Sequence, residues 1–156
     1  MQNNDLLRRV RYIFGYSDYQ MIEIFELADT TVTRAQISDW LKREDNPEFQ
    51  IITDSEMAIF LNGLINKNRG KREGAQPEPE TRLTNNIIFT KLKIALNFKA
   101  EDILEILDLA NFKLGKSELS AFFRKKESRQ YRVCQDQVLR NFLMGLQKKH
   151  RVSESE

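Results

Sequence analysis

NNDLLRRVRYIF, residues 3–14, lies over NNIIFTKLKIAL, residues 85–96, at an offset of 82. Self-similarity at a fixed spacing signals duplicated architecture and outranks any local reading. The same offset, without a gap, sets MIEIFELAD (21–29) on ILEILDLAN (103–111) and ISDWLKRED (37–45) on LSAFFRKKE (119–127). It then sets AIFLNGL (58–64) on RNFLMGL (140–146). Trp40 falls on Phe122, Phe49 on Tyr131 and Gly63 on Gly145. The chain is a tandem duplication.

Each copy reads as four helices. Leu6, Leu7, Val10, Ile13 and Phe14 recur at helical spacing, and Gly15 stands where a helix would stop. Ser17 with Gln20, Thr33 with Gln36 and Thr53 with Glu56 have the spacing of capping boxes. Such boxes satisfy amide protons that a first helical turn leaves unpaired. Asn3–Asn4 and Asn85–Asn86 read most simply as helix N-caps. Neither copy has an alternating strand pattern. The expected fold is all-α, two homologous four-helix units in tandem, related by a pseudo-twofold.

The expected boundaries are residues 1–69 for the first repeat, 70–84 for a polar linker and 85–150 for the second repeat. The linker GKREGAQPEPETRLT holds two of the three prolines and suits an extended, exposed segment. Residues 151–156 are expected to form a disordered tail. Gly63 and Gly145 fall inside the fourth helix of their copies, where glycine costs about 1 kcal/mol against alanine. Close approach of another helix is the expected reason, and room for a ligand the alternative.

Composition excludes several classes of function. No apolar run reaches the roughly 20 residues that a membrane span needs, so no membrane is expected. The charged N-terminus lacks the apolar core of a signal peptide, and a cytoplasmic location is expected. One cysteine, Cys134, cannot form an internal disulfide, and one histidine, His150, offers no zinc set. There is no phosphate-cradling glycine loop and no nucleophile motif, so no cofactor is expected and an enzyme is left open but unsupported.

NNDLLRRVRYIF, WLKREDNPEF (40–49), FLNGLI (60–65), SAFFRKK (120–126) and DQVLRNFLMGL (136–146) resemble the YehS-like family of small bacterial proteins. The resemblance runs over residues 1–150. It implies a duplicated all-helical protein, and it carries no catalytic residue over to this chain.

Function must therefore be sought in surface chemistry. TTVTRAQISDWLKRED, residues 30–45, reads like the second half of a helix-turn-helix, with Ile37 and Trp40 inward and Arg34, Ser38 and Lys42 outward. Leu27 and Thr31 stand where that motif wants a small residue and glycine, as do Leu109 and Lys113 in the second copy.

The formal net charge of +2 divides into −1 over residues 1–72, −2 over 73–83 and +5 over 84–156. Lys113 and Lys116 precede the third helix of the second copy, and RKKESRQYR (124–132) adds Arg124, Lys125, Lys126, Arg129 and Arg132. Cations so clustered point to nucleic acid, with these seven on phosphates and Arg34 and Ser38 as candidates for reading bases. The competing reading is a protein-interaction or oligomeric scaffold that meets an acidic protein. The apolar surface also leaves room for a homodimer.

Overall fold

The computed structural model describes the backbone through Ser155 and the side chains through Arg151. The expected tail at 151–156 therefore falls, beyond Arg151, outside the described side chains. The described residues hold eight helices and no strand. They form two compact units, the first Met1–Leu83 and the second beginning at Thr84.

The first unit contains α1 (Asn3–Phe14), α2 (Asp18–Glu26), α3 (Arg34–Leu41) and α4 (Asp54–Arg69). The second contains α5 (Asn85–Leu96), α6 (Ala100–Leu109), α7 (Lys116–Phe122) and α8 (Asp136–Ser155). All three capping boxes of the first unit form as spaced: Ser17–Gln20, Thr33–Gln36 and Thr53–Glu56. In the second unit Thr84 caps α5, while the backbone N–H groups of Lys99 and Gly115 donate to Asp102 and Glu118. Gly15 ends α1 at φ 65° and Asn97 ends α5 at φ 55°, both left-handed. Asp29 and Asn111 turn the corner after the second helix of each unit in the same conformation.

Apolar periodicity meets in an aromatic centre. Phe25 lies 5.5 Å from Trp40 and 5.4 Å from Phe60 between ring centroids. In the second unit Phe89 lies 4.8 Å from Phe142 and 6.4 Å from Phe122. Trp40, only 4% exposed, is therefore core and not a surface anchor. Phe49 and Tyr131 are half-buried at the edge.

The two glycines mark where helices touch. A Cβ at Gly63 would lie 1.9 Å from the Ile24 carbonyl oxygen, and one at Gly145 would lie 2.0 Å from that of Ile106. The absent side chain lets α4 press on α2, and α8 on α6, backbone to backbone.

The asparagine pairs are not N-caps. Gln2 occupies the N-cap of α1 without a side-chain bond, and Asn3 and Asn4 lie inside the first turn. The Asn4 amide donates 2.9 Å bonds to the carbonyls of Trp40 and Gln50, while its oxygen accepts from the Ile52 N–H at 3.2 Å. Asn86 repeats the set at Phe122, Arg132 and Cys134. Asn3 and Asn85 reach the Asp54 and Asp136 carboxylates, each at 2.7 Å. Each pair ties the first helix of its unit to the extended segment between the third and fourth helices. That segment has no neighbouring strand to take its polar groups, so a buried amide does so.

The proline-containing segment is exposed over most of its length but tied to the first unit. Lys71 pairs with Asp29, the Asn66 amide donates to Gln76 at 2.7 Å, and the Leu83 N–H donates to Asp54 at 2.9 Å.

Candidate functional site

The chain turns the same corner after the third helix of each unit. In the first, the N–H groups of Asn46, Phe49 and Gln50 donate to the carbonyls of Arg43, Asn46 and Asp39. In the second, those of Ser128, Tyr131 and Arg132 donate to Lys125, Ser128 and Ala121, every bond displaced by 82. A side chain closes each turn as well, the Asn46 oxygen accepting from Glu48 N–H and the Ser128 hydroxyl from Gln130 N–H.

One backbone thus carries two opposite charge sets. Residues 39–56 hold six acidic and two basic side chains, or −4; residues 121–138 hold five basic and two acidic, or +3. Each corner also exposes one aliphatic side chain at a matched place, Ile51 at 71% and Val133 at 63%. These arise because residues 50 and 52, like 132 and 134, turn their backbone inward to the asparagine and leave the residue between them facing out.

The candidate cations differ in their freedom. Lys116 lies 3.1 Å from Glu101. The Glu101 carboxylate is held below its ordinary pKa by its own backbone N–H and then by Lys116. Arg34, at the matched position, lies 3.4 Å from Asp18. Lys113 stands 3.9 Å from Asp108 in an exposed pair. The Arg132 guanidinium folds back on the carbonyls of Arg129 and Tyr131, at 3.1 and 2.9 Å. Arg124, Lys125, Lys126 and Arg129 are exposed, and their side chains make no ion pair among the described residues. Lys42 in the first corner is the contrast, gripped by Asp39 at 2.6 Å and Glu48 at 2.7 Å, contacts that raise its pKa.

The arrangement also separates the candidates. Lys113 and Lys116 lie at the N-terminal end of α7, while the Arg124–Arg132 run follows its C-terminus, roughly 10 Å away at 1.5 Å per residue. A reading helix would present its N-terminal turn to base edges. Here that turn holds Glu118, spent on Gly115 N–H, and Lys116, spent on Glu101. In α3 the Gln36 side chain closes a capping box, leaving Ser38 exposed beside an acid-rich corner. What the residue pattern did not reveal is the matched exposure of Ile51 and Val133. Its available signal was an aliphatic residue recurring at the offset of 82 outside any helix.

Cys134 is buried, 1% exposed, and burial pushes its thiol from near 9.0 up to about 12, with the Asp136 charge adding to the rise. The folded chain should therefore resist an aromatic disulfide reagent at pH 8 and react only on unfolding, as a thiol-release assay with and without denaturant would show. Because the folded state keeps its proton while the unfolded thiol ionises, this contribution to stability is full below the unfolded pKa. It is lost progressively as pH rises toward 12.

No three described His, Cys, Asp or Glu side chains converge as a metal ion would require. No described helix is long and apolar enough to cross a membrane.

A family model described as "Protein of unknown function (DUF1456)" matches residues 3–70 and again 85–151, one match to each unit. The chain is 41% identical over 155 residues to "Uncharacterized protein YehS" of Escherichia coli strain K12, covering 99% of each chain. No solved structure gives a significant match.

Proposed function

The chain belongs to the family described as "Protein of unknown function (DUF1456)", and on that premise we propose that it is a nucleic-acid-binding module working through the basic corner of its second unit. The observation that carries this reading is the contrast between two corners that share one backbone hydrogen-bond pattern. The cations of the first corner are engaged by its own acids, whereas Arg124, Lys125, Lys126 and Arg129 stand exposed and unpaired. Four such cations on one turn neutralise phosphates and release the counterions condensed on them. They grip the backbone without reading bases, because phosphate contacts position a protein and carry no sequence information.

Lys113 and Lys116 at the other end of α7 add long-range attraction, reduced by their acidic partners. Arg34 and Ser38 contribute little, the first being paired with Asp18.

With about four phosphate contacts and a slope of roughly 0.9 per contact, affinity for a fluorescent duplex DNA should fall on the order of a hundredfold between about 50 and 200 mM salt. Fluorescence anisotropy measures this directly. K125E/K126E should lose most of the binding at low salt, and unrelated duplex sequences should bind alike. Arg34→Glu should leave affinity within about twofold. Absence of binding by the parent chain at the lower salt would sink the reading.

A further inference from the structure

We infer that the acidic corner of the first unit is a docking surface for the basic corner of the second unit of another copy of the chain, giving head-to-tail self-association. Three observations meet here. First, the two corners share one backbone hydrogen-bond pattern, so they present side chains at corresponding places. Second, their charges are opposite, −4 over residues 39–56 against +3 over 121–138. Third, each corner sets one exposed aliphatic side chain within that charge, Ile51 in one and Val133 in the other. Apolar contact ringed by complementary charge is the general anatomy of a specific protein interface.

The first corner also supplies a receptor. A depression of about 260 Å³ lies here, lined by Gln36, Asp39, Trp40, Gln50, Ile51 and Glu56. The side chains that match Gln36, Asp39, Gln50 and Glu56 in the second unit are Glu118, Ala121, Arg132 and Val138, so the acid pair at Asp39 and Glu56 belongs to the first corner alone. A depression lined by carboxylates and an exposed isoleucine suits a segment offering both an aliphatic side chain and guanidinium or ammonium groups. Val133, with the exposed Arg129 four residues before it, is such a segment. Glu44 and Asp45 extend the acidic rim outward, where they would meet Arg124, Lys125 and Lys126.

This contact uses the surface proposed above for nucleic acid, so the acidic corner competes with phosphates for the same cations. It does not depend on that reading, however, because the complementarity lies between two parts of one chain. Exposed pairs are screened within about 8 Å at physiological salt, so the association should be weak and salt-sensitive.

Sedimentation velocity of the full chain across a concentration series, at low and at physiological salt, tests it. The parent chain should self-associate with rising concentration and dissociate with rising salt. E44K/D45K and K125E/K126E should each weaken self-association about tenfold or more. An equimolar mixture of the two variants should associate again as one-to-one pairs, because E44K/D45K keeps the parent's basic corner and K125E/K126E keeps its acidic one. All four substitutions fall on exposed positions, so circular dichroism should match the parent.

E44K/D45K should leave anisotropy with duplex DNA intact or stronger, which separates this inference from the nucleic-acid reading. A chain that stays monomeric at low salt overturns the inference. So does self-association indifferent to E44K/D45K, or a mixture that fails to re-form the complex.

Discussion

Gly145→Ala should lower the thermal unfolding midpoint of the second unit by more than ten degrees, and Gly63→Ala should do the same to the first. The added methyl would sit 2.0 Å from the Ile106 carbonyl oxygen in one case and 1.9 Å from that of Ile24 in the other. A flexible side chain could swing away, but a backbone carbonyl inside a helix cannot move without displacing the helix. Overpacking costs typically 1–3 kcal/mol and more where backbone must shift, so a loss of about 3 kcal/mol or above is expected. The intrinsic gain of about 1 kcal/mol from replacing a mid-helix glycine offsets only part of it. At roughly 4–8 °C per kcal/mol for a unit of this size, differential scanning calorimetry would resolve the change. Lys148→Ala, on an exposed part of α8, is the matched control and should move the midpoint little. An unchanged midpoint for Gly145→Ala would show that the two helices do not approach so closely.

Asn4→Asp and Asn86→Asp should be as damaging at neutral pH, although they change neither size nor shape. Each asparagine is buried, at 1% and 5% exposure, and its side chain bonds to two backbone carbonyls and one backbone N–H. Aspartate would set a carboxylate oxygen where the amide donates, facing two carbonyl oxygens. Two hydrogen bonds of about 1 kcal/mol each are lost, and each carbonyl left unsatisfied costs a further 1–3 kcal/mol, so about 3 kcal/mol or more should go. The direction with pH follows. Burial and the facing carbonyls favour the neutral acid, so the new carboxyl has a raised pKa in the folded state. Its folded form then holds a proton that the unfolded form releases, and stability is lost as pH rises. The variants should therefore be least impaired in acid, where the protonated carboxyl still donates one bond. Denaturant titrations near pH 4 and pH 7 would read this, and a deficit independent of pH would contradict the role given to the amide.

These two features show how differently the chain's residues disclose themselves. Gly63 and Gly145 announced a close contact because glycine inside a helix is costly and each recurred at the repeat offset. Ser17, Thr33 and Thr53 announced their caps because the partner lies three residues away and belongs to a short menu of types. Asn4 and Asn86 were equally repeated, yet their role could not be read. Their partners are carbonyls and N–H groups 36 to 48 residues away, and backbone groups have no side-chain identity to leave in the sequence.

The candidate site divides along the same line. The run at 124–132 was visible as charge, and the offset paired it with an acid-rich stretch. Which cations are free was not visible. Lys116 and Arg34 are tied by Glu101 and Asp18, which come from the preceding helix, 15 and 16 residues earlier. Arg132 is turned onto carbonyls by the shape of its own corner. Exposure of Ile51 and Val133 was equally hidden, since an aliphatic residue between helices reads as core until the inward neighbours are known.

By itself, the sequence determined the duplication, the helices, their caps and the glycine contacts. Periodicity, capping and repeat spacing are local or self-referential, and side-chain type alone encodes them. The tertiary structure alone decided which charges are spent within the fold and which face outward. That outcome depends on distances of a few ångströms between groups far apart along the chain, where a shift of one helix turn makes or breaks an ion pair.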